Sequence, residues 1–214
     1  HRTSRRQRQM CIRDSDNFVS LSLDYDKRNQ KFQTSQGFRN YFSTDLPIVS
    51  ETNTLASTFI TTNYYEYFNK YILKSSFYFK NSNSITGENI KLSERLSLPS
   101  NRLRGFERGK IGPKDGNDFI GGNYVASLNF SSDVPKLLEN SQTTDLIIFL
   151  DIANVCAVDY DSNLEKSDDI KSAVGIGLDW FTPIGPLNFT LSQPLSKGSN
   201  DITESFRFNL GTTF

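Results

Sequence analysis

Side chains suited to bond-making chemistry are scarce in this sequence. His1 is the only histidine, and Cys11 and Cys156 are the only cysteines. That inventory composes neither a metal-ligand set nor a disulfide framework. No nucleophile–base pair and no pair of carboxylates stands at a spacing that marks acid–base work. The sequence therefore offers no catalytic residue, no metal ligand and no cofactor-binding motif, and an enzyme is not expected. Gly105, Gly109, Gly112, Gly116, Gly121 and Gly122 crowd one stretch and invite a phosphate-cradle reading. Gly109-Lys110 is followed by Ile111 rather than Ser or Thr, so the phosphate-loop pattern fails and turn glycines fit better. Judged by residue type alone, Arg104 reads as a solvated loop arginine and Asp151 as one more polar strand residue; Glu94 and Arg95 suggest no role. The 24 basic and 24 acidic residues balance, without the basic stripe that nucleic acid requires.

The elements that carry these residues read as strands. Alternating segments recur over about 16–26, 37–47, 55–67, 71–81, 122–131, 143–155, 171–182, 187–194 and 204–214. In the last, Phe206, Phe208, Leu210 and Phe214 share one face, with Arg207 and Asn209 on the other. Val174, Ile176, Leu178 and Trp180 alternate with Gly175, Gly177 and Asp179; Leu187, Phe189 and Leu191 alternate with Asn188, Thr190 and Ser192. Apolar runs such as Leu146 to Leu150 are far shorter than the roughly 20 residues of a membrane helix. A soluble β-sandwich also alternates. A membrane barrel is favoured by strands of about 9–12 residues, by a small polar second face, and by aromatics gathered at strand ends, such as Tyr64, Tyr65, Tyr67, Phe68 and Tyr71.

Loop lengths point the same way. The connections over about 82–121, 156–170 and 195–203 are long, whereas 68–70 and 183–186 are short, as on the two sides of an outer-membrane barrel. With the long loops outside, Phe214 ends on the periplasmic side and the first strand begins outside. Bacterial barrels close with an even strand number, so an odd set beginning outside is expected to be an incomplete barrel. Residues 1–15, HRTSRRQRQMCIRDS, hold five arginines and no apolar period. They read as a non-native or disordered tail, ahead of a basic arm for nucleic acid or anionic lipid. Residues 16–214 then form the barrel part, with the long loop 82–121.

Several motifs, in order, carry a family resemblance over about 16–214. Leu103-Arg104-Gly105-Phe106 resembles the RGF signature in the long inward-folding loop of the BamA family. Gly112-Pro113 and Gly121-Gly122-Asn123 stand where that family carries its GP and GGN elements. Leu150 to Val155 resembles an F-x-D-x-G-x-V strand, with Ala153 and Asn154 departing at the usual glycine. Gly175 to Leu195 resembles a W-x-S-P-x-G-P-L-x-F block, with Thr182 in place of Ser. The ending FRFNLGTTF resembles the family's last strand with its closing aromatic.

The resemblance implies an all-β, antiparallel transmembrane β-barrel, here incomplete: about the last nine strands of a barrel of about 16, preceded by periplasmic POTRA domains. The implied function is folding and insertion of β-barrel proteins into the bacterial outer membrane within an assembly complex. Unfolded outer-membrane proteins would be the clients, Bam-complex lipoproteins the partners, and outer-membrane lipid the solvent. The alternative is a two-partner secretion or TamA-like transporter barrel of the same broad family. Carried over residue by residue, Leu103, Arg104, Gly105 and Phe106 form the functional loop motif, with Asp151 and Asn129 as its lumen partners. Phe206, Phe208, Leu210 and Phe214 form the C-terminal strand signal. Arg104 is expected to reach Asp151 as a bidentate pair, with the uncharged Asn129 as a hydrogen-bond acceptor beside it.

Overall fold

The computed structural model describes residues 17–31, 34–49, 54–68, 71–134, 144–158, 169–182 and 185–210. The tail 1–15 and Phe214 lie outside these. Strands β1 (Asn17–Asp26), β2 (Gly37–Val49), β3 (Thr54–Tyr67), β4 (Tyr71–Ser84), β5 (Lys114–Asp115), β6 (Asp118–Phe119), β7 (Tyr124–Val134), β8 (Thr144–Cys156), β9 (Lys171–Thr182), β10 (Gly185–Ser196) and β11 (Phe206–Leu210) follow one another. Nine of them form one sheet in the order β1-β2-β3-β4-β7-β8-β9-β10-β11, every neighbouring pair antiparallel. Sequence neighbours pair throughout; only β5 and β6 step aside, as a hairpin inside the long connection. The result is an open up-and-down wall, one part of a barrel.

The two faces of the wall differ because the side-chain period of a strand is two. Register places Asn129 opposite Asp151, Asp151 opposite Ala173, and Thr190 opposite Arg207. These residues line the inner face, against which the connection between β4 and β7 folds. Tyr78, Leu96, Leu98, Leu103, Phe106, Ile111, Val125, Ala153, Val155 and Ala173 form the core there. It is a small core for a wall this broad.

The outer face is apolar and uncovered. Ile148, Ile176, Leu191, Phe206, Phe208 and Leu210 all lie there, with Leu191 52% and Leu210 64% exposed. Val174, Leu178, Leu187 and Phe189 share that face by register. Monomeric soluble proteins rarely leave apolar patches of this breadth open, and a sandwich would have folded them into a shared interior. Each Leu, Ile or Phe moved from water into lipid recovers roughly 1.5–3 kcal/mol, which makes a bilayer the solvent this face fits. Around the β3–β4 turn, Tyr65, Tyr67, Phe68 and Tyr71 are exposed together, as in an interfacial girdle.

The connection from β4 to β7, expected as one long loop over 82–121, has elements of its own. It contains a 3-10 turn at Leu92–Glu94, the β5–β6 hairpin, and a bridge from Leu96 to Gly122. The hairpin closes through Gly116-Asn117, with Gly116 at φ +58°, a two-residue turn that requires positive φ. The fifth wall strand begins at Tyr124 rather than near residue 122. Gly122 exchanges both backbone hydrogen bonds with Leu96 of the loop, at 2.8 and 2.9 Å, so it joins the loop rather than the wall ladder, while lying close against the backbone of Cys156 on β8. β11 begins at Phe206 rather than at residue 204, because the Glu204 N–H is taken by the Gly105 carbonyl of the long loop; residues 211–214 lie outside the described residues.

Candidate functional site

Arg104 leaves the long loop and enters the inner face at β8. Its backbone N–H donates to Asp151 Oδ2 at 3.0 Å, Nε donates to the same oxygen at 2.8 Å, and Nη2 donates to Oδ1 at 2.9 Å. A fork of this kind matches carboxylate geometry and fixes orientation as well as charge. Asp151 is completely buried and Arg104 about one-fifth exposed. Asn129 Nδ2 adds a fourth donor to Asp151 Oδ1 at 2.8 Å. A carboxylate offers about four acceptor positions, so this one is satisfied without water.

Asn129 behaves differently from the expectation of an acceptor for Arg104. It donates to Asp151 and to the Arg102 carbonyl at 2.7 Å, while its Oδ1 accepts from Ser127 at 3.1 Å. Between two acceptors the amide turns its NH2 toward them, leaving the guanidinium to the carboxylate alone. Asn129 thus holds the loop backbone one residue before Leu103.

Three features of the site carried no signal in the motifs. Phe149, on the same face of β8, lies flat under the guanidinium, with Arg104 Cζ 3.5 Å from the ring centroid, a cation–π contact of the stacked kind. The ring has room because position 175 is glycine: a Cβ there would lie 2.5 Å from Phe149 Cζ. Arg102 donates from Nη1 to Ser76 Oγ at 2.8 Å and lies over Tyr78 on β4. Burial pulls its guanidinium below the ordinary pKa, with the charges of Tyr78 and Asp151 opposing the shift. Arg207 on β11 donates from Nη1 to the Ser100 carbonyl at 2.7 Å and from Nη2 to the Phe106 carbonyl at 2.6 Å. The period-two pattern foretold that Arg207 points inward; its partners lie about a hundred residues away in sequence, where no local pattern reaches.

Within the motif, each residue has a separate task. Leu103 and Phe106 are both 2% exposed and anchor the loop in the core. Gly105 sits at φ +93°, and a Cβ on it would meet Ala173 Cβ at 3.0 Å. Only glycine serves where positive φ and close approach coincide. Among the expected strand-signal residues, Phe206, Phe208 and Leu210 face outward and are exposed. Phe189 and Phe208 pair across the β10–β11 ladder at 5.0 Å.

The described residues contain no cluster of three or more His, Cys, Asp or Glu side chains fit for a metal ion. What the arrangement can do is mechanical. It holds one loop against strands β4, β7, β8 and β11 at once, from inside the wall.

Comparison with known proteins gives consistent findings. Residues 3–214 match the Omp85 superfamily domain. The chain is 27% identical over 132 residues to the outer membrane protein assembly factor BamA of Neorickettsia risticii (strain Illinois), covering 60% of this chain and 18% of that protein. BamA of Neisseria meningitidis serogroup B is 27% identical over 139 residues, covering 52% and 17%. A SAM50-like protein of Schizosaccharomyces pombe is 34% identical over 145 residues, covering 61% and 29%. The chain thus spans less than a third of the length of each of these relatives. The crystal structure of BamA from Haemophilus ducreyi lacking POTRA domains 1-3 superposes with a TM-score of 0.79 at 24% identity, over 88% of this chain and 41% of that one, a likeness of fold. By the match that spans nearly its whole length, together with the antiparallel wall and its inward-folded loop, this chain belongs to the Omp85 superfamily.

Proposed function

We propose that this chain is the C-terminal part of a barrel that folds and inserts other β-barrel proteins into the bacterial outer membrane. Its clients are unfolded outer-membrane proteins, and it works in an assembly complex with Bam-type lipoproteins. The observation that carries the reading is the loop pinned by Arg104 to Asp151 on the inner face. A wall built around a fastened loop suits a scaffold whose edges and rim act on a partner better than an unobstructed pore. The physical task fits as well. An unpaired strand edge is very costly in lipid, and a machine that offers its own edge can pair a client's backbone strand by strand. β11 pairs with β10 on one side only among the described residues, so it is the candidate template.

The transporter alternative makes a different demand, since substrate must pass through the lumen and displace the loop. Full-length protein reconstituted in lipid vesicles distinguishes the two. The insertion reading expects an unfolded barrel client to become protease-resistant faster with the protein than without it. Client folding at the uncatalysed rate, together with passage of a polypeptide into the vesicle, would overturn it. A substitution at Arg104 should slow client folding in the same assay.

A further inference from the structure

We propose that Arg207 is a latch, a positioning residue that ties the terminal strand to the RGF-like loop and so sets how readily that strand leaves its place. The consequence for clients rests on the insertion reading above; the latch itself rests on the following contacts.

The guanidinium of Arg207 forks over two backbone carbonyls of the long loop, Ser100 and Phe106. Glu204 receives two further donors, at 2.9 Å from Nε and 2.6 Å from Nη2. Around this fork the segment leading into β11 is laced to the loop by backbone bonds. Glu107 N–H donates to the Ile202 carbonyl at 2.9 Å, Ile202 N–H to the Lys110 carbonyl at 3.1 Å, and Glu204 N–H to the Gly105 carbonyl at 3.0 Å. The motif is therefore held from two sides, with Arg104 fastened to β8 and its Gly105 and Phe106 carbonyls fastened to the start of β11.

Among the described residues, β11 pairs with β10 over Phe206–Leu210, and the Ser192 N–H donates to the Ser205 carbonyl just ahead of it. Arg207, on the inner side of this ladder, adds a tie at right angles to it, from the strand to the loop. Swinging β11 away strands two carbonyls and separates a charge-assisted donor from both. Because the same tetrapeptide is clamped to Asp151, the position of β8 and that of β11 are mechanically linked across β9 and β10.

The test is amide hydrogen exchange on the full-length protein in lipid vesicles. Arg207→Ala should speed exchange at 206–210 by at least about tenfold while leaving β7 and β8 as they were. Arg207→Lys should fall between, since one ammonium cannot fork over two carbonyls. Asp151→Ala should also speed 206–210, although Asp151 does not touch β11. Unchanged exchange at 206–210 in Arg207→Ala, full protection in Arg207→Lys, or a uniform increase over the whole wall would each overturn the latch. Client folding by the unaltered protein is scored separately, so a failed insertion reading remains distinguishable from a failed latch.

Discussion

At the scale of single residues, Arg104 and Asp151 exemplify a buried pair whose value lies in placement. Removing one partner of a fully buried pair costs roughly 3–5 kcal/mol, and less here because Arg104 is one-fifth exposed. Arg104→Ala should therefore impair function more than Arg108→Ala, since Arg108 is exposed; complementation of a depleted strain by each full-length variant compares them, and equal effects would refute the assignment. Gly105 offers a second test. Gly105→Ala should destabilise the loop by about 1–3 kcal/mol through positive φ alone, with the Ala173 contact in addition. Adding Ala173→Gly should recover only the contact part, measured as unfolding temperature in detergent. Full recovery would mean that backbone strain is unimportant at this position.

At the scale of elements, each wall strand carries two chemistries that differ by one residue step. Phe42 and Ser43 on β2 make the sharpest comparison: Phe42 is an exposed outer residue, and Ser43 lies opposite Ser22 and Thr58 on the inner face. Phe42→Arg should cost roughly 2–4 kcal/mol if it lies near the bilayer midplane, whereas Ser43→Arg should cost little in a wet interior. Unfolding of both full-length variants from lipid vesicles measures the difference, and equal costs would argue against lipid on the outer face. β8 and β9 are coupled by a different device. Gly175→Ala forces Phe149 from under Arg104. It should therefore mimic Arg104→Ala in function, and Phe149→Ala should only partly relieve it, because the added methyl also meets the Leu191 backbone.

At the scale of the whole molecule, stability is divided between two solvents. The core is small and lies only where the long loop meets the wall, while the outer face lacks any protein cover among the described residues. The fold should consequently lose its tertiary signals when the full-length protein is transferred from lipid to detergent-free buffer, and near-ultraviolet circular dichroism follows that loss. Phe214 closes the last alternating segment. Phe214→Ala should lower the amount of the protein that reaches the membrane, as judged by immunoblotting of membrane fractions; unchanged levels would sink the idea of a terminal signal.

The nine wall strands, their faces and the short turns are legible in the residues alone, because the period of two and the turn residues are local properties that survive in any register. Ile176 faces out and Asp151 faces in for reasons written within a few residues of each. Motif resemblance supplied the pairing of Arg104 with Asp151, which lie 47 positions apart. Three-dimensional packing was needed to show that Asn129 donates to Asp151, that Phe149 bears the guanidinium over the space left by Gly175, and that Arg207 reaches Ser100 and Phe106. Those contacts depend on how far the loop penetrates and on which strands curve beneath it. No alternation of side chains along a strand encodes either, since both follow from packing among segments remote in sequence.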